Sequence, residues 1–278
     1  MKPIKPVGEV TSPKNKNTSL AKETLEIIKK KQYTSRNGNI VDLSDNINFA
    51  VKNTIHYKDF VAPDFYMAGL PTVEVVNETT SQAAVRLKEL GKTNLVALNF
   101  AAARNPGGGF LAGAVAQEED LCRDSALYAC LKSKPMFYNN NIMCENSYYT
   151  DDIIYSPFVP FFRDEYHLLL EQPYSLSIIS APAPNVNAMK TVDEELLAIT
   201  LITRAQKILQ IAHNHGHKNI LLGAWGCGAF GNDPADVAAI FRAALKAVPV
   251  FEHVCFPVYD TRTPQYLFET FKEAFSNG

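Results

Sequence analysis

Three consecutive glycines and two adjacent carboxylates, separated by a spacer of seven residues, are the residues whose types and spacing could support chemistry. The segment contains Gly107, Gly108, Gly109, Gln117, Glu118 and Glu119. A backbone without Cβ atoms adopts positive φ readily, approaches a ligand closely and offers its N–H groups to an anion. Carboxyl groups beside such a loop can transfer protons. The combination predicts a bound phosphate ester with acid–base chemistry next to it.

A second glycine-rich segment lies late in the chain. It contains Gly226, Cys227, Gly228, Ala229 and Phe230, and eight of the fourteen glycines fall within residues 107–113 and 223–231. Both segments follow a predicted strand and precede a predicted helix. Ligands of open α/β sheets bind beyond the carboxyl ends of the strands, so the two loops are expected to face one crevice. Two loops rich in N–H groups suit a diphosphate, and the alternative is a pair of tight turns without a ligand.

The second loop also fits the GxGxxG pattern of dinucleotide-binding proteins. Only 47 residues follow Gly231, and they are predicted to form one strand and two helices. That is too little chain to complete a paired Rossmann domain. Glu252, which stands about 20 positions downstream, precedes the next strand instead of ending it. The pattern therefore does not indicate a hydride-transfer enzyme.

Composition excludes several other classes of protein. The 278 residues carry 27 Lys and Arg against 29 Asp and Glu, a net charge of −2, which argues against sequence-specific nucleic-acid binding. The five cysteines form no CxxC pair and are expected to be reduced thiols in a cytoplasmic protein. No apolar run reaches the ~20 residues of a membrane span, and no signal peptide or membrane partner is predicted.

The order of predicted elements indicates an α/β fold with a mixed sheet covered by helices on both faces. Residues 1–17 are predicted to be a flexible tail, and residues 18–278 a single domain. Helices are predicted from residue 18 or 19 and over 80–90, 118–133, 191–213, 234 onward and 264–275. Strands are predicted over 95–100, 153–159, 176–181, 219–224 and 254–259, with two or three more within 36–77. Thr191 and Glu194 are expected to form a capping box for the longest helix.

The triplet, the spacer and Gln117-Glu-Glu119 resemble the GGG…QEE signature of poly(ADP-ribose) glycohydrolases. Residues 99–106 and 223–234 are similar to the bacterial, compact version of that family, and the resemblance extends over residues 20–275. It implies a macrodomain-like three-layer fold, a mixed sheet flanked by helices, with an N-terminal helical and strand extension. It implies poly(ADP-ribose) or ADP-ribosylated protein as substrate and ADP-ribose as product ligand. No cofactor and no metal are expected.

The resemblance assigns Glu119 as the general acid and base and Glu118 as the residue that holds the ribose hydroxyls. Glycosidic cleavage passes through an oxocarbenium-like centre, and one carboxyl group can first give a proton and then take one from water. Neighbouring negative charges raise a carboxyl pKa and a helix N-terminus lowers it, so the sequence leaves the balance open. The alternative is that Glu118, Glu119 and Asp120 only complement the helix dipole.

The remaining predicted ligand contacts have alternative structural roles. Asn105 is expected either to bind the distal ribose or to serve the turn, and Gln117 either to contact ligand or to cap the loop. Phe230 is expected to pack on the distal ribose, to shape the water site or to fill the core. The complete set of predicted ligand contacts is Asn105, Gly107, Gly108, Gly109, Gln117, Gly226, Cys227, Gly228, Ala229 and Phe230.

Other reactive side chains are interpreted as structural. Cys122 and Cys227 have no evident histidine base, so a thiolate nucleophile is not predicted. Three histidines, His213, His215 and His217, straddle the expected end of the longest helix and lack a carboxylate or cysteine to complete a metal site. Trp225 is expected to anchor the second loop.

Two further functions stay open. A non-catalytic ADP-ribose reader would share the fold, although it would not need paired carboxylates. A hydrolase of mono-ADP-ribosylated protein or of another ADP-ribose derivative would use the same residues.

Overall fold

A seven-stranded mixed sheet forms the centre of the molecule in the computed structural model, which describes residues 13–58 and 71–276. The strand order is β3-β6-β7-β5-β8-β9-β4. These strands are β3 (Ile55–Tyr57), β4 (Thr72–Val76), β5 (Leu95–Phe100), β6 (Ile153–Arg163), β7 (Leu169–Ala181), β8 (Asn219–Leu221) and β9 (His253–Pro257). A separate antiparallel pair contains β1 (Gln32–Thr34) and β2 (Ile40–Asp42). The β7-β5-β8-β9-β4 part of the sheet is parallel, while β3 and β6 are antiparallel to their neighbours.

Helices cover both faces of this sheet. They are α1 (Pro13–Lys30), α2 (Ser44–Asn53), α3 (Thr80–Glu89), α4 (Gln117–Asp124), α5 (Leu127–Lys132), α6 (Pro135–Met143), α7 (Glu194–Asn214), α8 (Pro234–Ala247) and α9 (Tyr266–Ser276). Alternate residues of β5 point to opposite faces, so Val96 and Leu98 belong to one hydrophobic core and Leu95 and Ala97 to the other. The two cores on either side of one sheet make the three-layer arrangement that was predicted.

Several predicted elements are confirmed at the positions that local signals indicate. The strand over 95–100 is β5, and α3 begins at Thr80 behind a capping box of Thr79 and Gln82. Helix α8 begins at Pro234, and the side chain of Asp233 accepts a 2.8 Å hydrogen bond from the N–H of Ala235. In the described part of the chain, no helix combines the length and the apolar character needed to cross a membrane.

Other boundaries differ from the predictions for identifiable reasons. Helix α1 begins at Pro13, so residues 13–17 of the predicted tail are helical, while residues 1–12 lie outside the described residues. The helix predicted over 118–133 is two helices, because extended backbone at Ser125 forms a bridge with Phe161. Helix α7 is capped by Asp193, whose side chain accepts a hydrogen bond from the N–H of Leu196. The prediction of a capping box formed by Thr191 and Glu194 is therefore wrong.

The segment 36–77 and the central strands also differ. Residues 44–53 form helix α2 between short strands, and α6 was not predicted. Strands β6 and β7 are longer than predicted because they pair antiparallel as a hairpin, with register shifts after Ser156 and Phe161. The hairpin places its connecting residues 164–168 near the end of α4, as described below.

Candidate active site

Gln117, the first residue of α4, ties this helix to the central sheet. Its Oε1 accepts a 2.8 Å hydrogen bond from the N–H of Phe100, at the end of β5. Its Nε2 donates to Leu98 O at 2.7 Å and to Thr80 Oγ1, on the first turn of α3, at 3.0 Å. The side-chain amide of Gln117 thus forms its hydrogen bonds within the protein. Of the two roles predicted for Gln117, ligand contact and loop capping, these bonds correspond to capping.

Glu118 is buried at the same end of β5 and is only 3% exposed. One carboxyl oxygen accepts a 3.1 Å hydrogen bond from Asn99 Nδ2, and the other accepts a 2.8 Å hydrogen bond from the N–H of Ala102. Asn99 also donates to Ser180 Oγ, its cross-strand partner on β7, at 3.0 Å. The sheet itself therefore fixes the orientation of this carboxyl group.

Burial raises the pKa of Glu118 to about 8. The hydrogen bonds from Ala102 and Asn99 oppose the shift because they stabilise the ionised form, and the charge of Glu119 adds the smallest contribution. Removal from water thus outweighs the two hydrogen-bond donors. The sequence argument weighed neighbouring charge against the helix N-terminus and did not include this burial. With a pKa of about 8, most of the Glu118 population is protonated at neutral pH.

Glu119 is 8% exposed and is held by the first loop. Its Oε1 accepts a 2.8 Å hydrogen bond from the N–H of Gly109. Gly108 has a φ of +56°, and a Cβ added there would collide with Glu119 Oε1 and lie 3.2 Å from Glu118 Oε2. The triplet therefore packs against the two carboxyl groups, which occupy space that a side chain at position 108 would need.

A cleft of about 750 Å³ opens at the carboxyl ends of β5, β8 and β9, where α4 meets the second loop. This volume lies within the range typical of small-molecule sites, ~300–1,000 Å³. The residues that line it include Phe100, Ala102, Glu118, Glu119, Trp225, Gly226, Gly228, Ala229, Phe230 and Tyr259. The second loop therefore faces this crevice with both carboxyl groups in its wall, and the first loop packs against those carboxyl groups without its glycines lining the cleft.

The second loop presents small residues to this cleft. Gly226 has a φ of +76°, and a Cβ there would lie 2.5 Å from Ala183 Cβ, while Gly228 has no atom within 4 Å of its added Cβ. Trp225 is fully buried and donates from Nε1 to Ala181 O at 2.9 Å, which confirms that it anchors the loop. Phe230 lines the cleft, and its ring centroid lies 6.1 Å from that of Tyr149.

Comparison with known proteins places this arrangement in a family. A family model described as the catalytic domain of microbial-type PARG, poly(ADP-ribose) glycohydrolase, matches residues 21–164. The solved glycohydrolase from Thermomonospora curvata is 38% identical, with a TM-score of 0.88, over 94% of this chain and 99% of that one. The chain belongs to the microbial-type poly(ADP-ribose) glycohydrolase family. The resemblance drawn from the two loops and the macrodomain-like fold are both confirmed.

Two further solved glycohydrolases contain ligands. The T. curvata protein bound to the inhibitor ADP-HPD is 39% identical, with a TM-score of 0.85 and coverage of 94% of this chain and 99% of that one. The Deinococcus radiodurans protein in complex with ADP-ribose is 40% identical, with a TM-score of 0.75 and coverage of 83% and 97%. A search of curated protein sequences found no match.

Five of the predicted contact residues of this glycohydrolase are not among the described residues that line the cleft: Asn105, Gly107, Gly108, Gly109 and Cys227. Asn105 is exposed, and its carbonyl accepts a 3.0 Å hydrogen bond from the N–H of Gly108, as a turn residue would. A Cβ added to Gly107 would lie 3.1 Å from Tyr128 and 3.2 Å from Cys122 Sγ, so Gly107 serves close packing. Cys227 Sγ lies 3.7 Å from Trp225 O.

The contacts of Cys122, His215 and His217 in the glycohydrolase agree with the structural roles predicted for them. Burial raises the pKa of the Cys122 thiol well above its ordinary value, and the nearby carboxyl groups add to this shift. A thiol so disposed is a poor nucleophile. His217 lies 2.8 Å from Tyr155 OH and 2.9 Å from Asn94 O, and His215 stacks on the Tyr155 ring at 3.7 Å. These two histidines pack against a tyrosine of the sheet.

The structure adds residues that the sequence argument missed. Asn99 was detectable as a polar residue within an apolar strand, whereas no local pattern marks Ser180. His167, on the loop between β6 and β7, lies 2.6 Å from the buried Asp124 at the end of α4, and both line the cleft. The hydrogen bond to Asp124 raises the pKa of His167. The pair therefore fixes the hairpin to the helix that carries the carboxylates.

Proposed function

We propose that this glycohydrolase cleaves the ribose–ribose O-glycosidic bond of poly(ADP-ribose) and releases ADP-ribose, with Glu119 as general acid and base. The observation that carries the proposal is the pair Glu118 and Glu119 in the wall of a cleft of about 750 Å³ that the second glycine-rich loop also lines. Relatives with ADP-ribose and with ADP-HPD in their solved structures support ADP-ribose as the product ligand.

Glu119 first gives its proton to the bridging oxygen as the bond from that oxygen to C1″ of the terminal unit breaks. The next unit leaves with a free 2′-hydroxyl group. The Glu119 carboxylate then takes a proton from water, whose oxygen bonds to C1″ and completes ADP-ribose. Oε1 of Glu119 accepts a hydrogen bond from Gly109 N. No described residue forms a hydrogen bond with Oε2, so that oxygen is open to substrate and water.

Glu118 orients the sugar. Its pKa of about 8 keeps it protonated at neutral pH, so it can donate a hydrogen bond to a ribose hydroxyl oxygen while Asn99 and Ala102 fix its position. A neutral group beside Glu119 also spares the site a second negative charge when Glu119 is ionised. Glu118 and Glu119 thereby take different roles, because only Glu118 is hydrogen-bonded to the end of β5 and the backbone that follows it.

The second loop binds the diphosphate. None of the described residues that line the cleft is a lysine or arginine. We therefore assign the diphosphate to the backbone N–H groups of Gly228, Ala229 and Phe230, where the space beside Gly228 permits close approach. The N–H of Cys227 is excluded because it donates to Ala224 O at 3.1 Å. Phe230 packs on the distal ribose. Gly108 and Gly109 of the first loop position Glu119.

Residues 18–278 act as one catalytic domain in this proposal, because the site combines residues from 99 to 230. The N-terminal helix belongs to it: Thr24 Oγ1 on α1 donates to Arg123 O on α4 at 2.6 Å. All five cysteines are free, as expected of a protein that works in the reducing cytoplasm.

The test is incubation with poly(ADP-ribose) of defined length, without added metal, followed by chromatographic identification of products. Release of ADP-ribose supports the proposal. Release from singly modified protein but not from chains would favour the mono-ADP-ribosyl hydrolase. Binding of ADP-ribose without release from either substrate would identify a reader.

A further inference from the structure

A cation and two aromatic rings form a row that leads out of the cleft. The guanidinium carbon of Arg104 lies 5.5 Å from the centroid of the Tyr149 ring, and that centroid lies 6.1 Å from the ring of Phe230. Phe230 lines the cleft, whereas Arg104 is exposed. Arg104 also stands four positions before Gly108, so the row joins the first loop to the second.

Arg104 has no carboxylate partner among the described residues. Other arginines are paired with carboxylates: Arg86, Arg123, Arg163, Arg204 and Arg262. Its polar contact is a long one, 3.5 Å from Nη2 to Cys144 O. Stacking on an aromatic face leaves the edge of a guanidinium group free to donate.

Tyr149 is held in place for this contact. Its φ is +63°, in the left-handed region that residues other than glycine seldom adopt. Its hydroxyl oxygen accepts a 3.4 Å hydrogen bond from Asn185 Nδ2. The ring is thus fixed between Phe230 and the guanidinium group.

The substrate would place a second diphosphate on this side of the site. Poly(ADP-ribose) carries a diphosphate in every unit, and the unit that leaves is attached through the oxygen next to Glu119. The terminal unit fills the cleft with its distal ribose on Phe230, so the next unit continues outside, past that ring. The first loop lies on this side, but its Gly109 N–H is bonded to Glu119, so Arg104 is the group that we consider for this diphosphate.

We propose that Arg104 and Tyr149 form a subsite for the diphosphate of the leaving ADP-ribose unit. The inference rests on the proposed function. A guanidinium group pairs with phosphate oxygens through parallel N–H donors, and its position over the Tyr149 ring reduces the conformational entropy lost on binding. The subsite makes the enzyme prefer chains to substrates whose leaving group carries no phosphate.

The test compares two substrates with the variant Arg104→Gln. One substrate is poly(ADP-ribose), and the other is an aryl glycoside of ADP-ribose, whose leaving group has no phosphate. Loss of one exposed ion pair should reduce kcat/KM on chains about fivefold relative to the aryl glycoside. Rates on chains should also fall less steeply with salt than in the wild type. Arg242→Gln, an exposed arginine on α8, is the matched control.

A lysine at the same position refines the result. Arg104→Lys keeps the charge but loses the planar fork, so it should recover part of the preference for chains. Equal losses on both substrates would overturn the subsite, because Arg104 would then act through the first loop on Glu119. An unchanged ratio of the two rates would overturn it as well. A wild-type protein that cleaves neither substrate would instead refute the proposed function.

Discussion

The N–H of Gly109 donates a 2.8 Å hydrogen bond to Oε1 of Glu119, ten residues later in the chain. This bond changes the interpretation of the glycine triplet. The sequence pattern suggested that all three glycines cradle phosphate, whereas the structure shows Gly108 and Gly109 in contact with the carboxyl group that we propose as acid and base. In the mechanism that we propose, the first loop therefore positions Glu119, and the second loop binds the ligand.

Glu119→Gln should reduce turnover of poly(ADP-ribose) at least ~10²-fold, the low end of general acid–base contributions. The amide can still accept from Gly109 N, but it cannot give and retake a proton. Affinity for ADP-ribose, measured by calorimetry, should change little. A variant with more than half the wild-type rate would remove Glu119 from the mechanism.

Glu118→Gln should make stability less dependent on pH. The folded-state pKa of Glu118, about 8, exceeds the ordinary value of 4.5, so its contribution to stability is complete below pH 4.5 and is lost as pH rises to about 8. Each pKa unit corresponds to about 1.4 kcal/mol. The Tm of the variant relative to wild type should therefore increase between pH 5 and pH 8. Parallel Tm curves across that range would contradict the raised pKa.

Gly108→Ala and Gly228→Ala should have different consequences. The first adds a methyl group against Glu119 at a φ of +56°, so it should displace the carboxyl group and reduce turnover. A misplacement of about 1 Å can cost about 10²-fold in rate. The second adds a methyl group to open space in the cleft, so it should spare the fold and weaken ADP-ribose binding. Turnover and calorimetry on both variants check this, and identical profiles would refute separate roles for the loops.

Asn99→Leu should reduce turnover about tenfold, because a side chain of similar size lacks the donor that orients Glu118. Since that hydrogen bond lowers the pKa of Glu118, its loss should raise this pKa further and extend the pH-dependent loss of stability above pH 8. Ser180→Ala, which leaves the Asn99–Glu118 bond in place, is the control. A slower Asn99→Leu enzyme whose pH dependence of Tm equals that of wild type would assign Asn99 a packing role alone.

Short-range patterns in the sequence determined much of the fold and the location of the site. The apolar run of β5, the Asp233-Pro234 start of α8 and the glycines beside the carboxylates each predict local structure correctly, because backbone conformation there depends on neighbouring residues. Capping was harder to predict: Asp193 displaced Thr191 as the N-cap of α7 because candidate caps two residues apart compete, and the surrounding chain decides between them.

Only the tertiary structure decided the electrostatics and the partners. The raised pKa of Glu118 depends on how completely the fold excludes water from its carboxyl group, and no sequence pattern measures that burial. The contacts of Asn99 with Ser180, His167 with Asp124 and Arg104 with Tyr149 join residues more than 40 positions apart. The order of the strands in the sheet brings such pairs together. Residue types and spacing therefore indicate the kind of chemistry, whereas the packing of the folded chain determines the role of each residue.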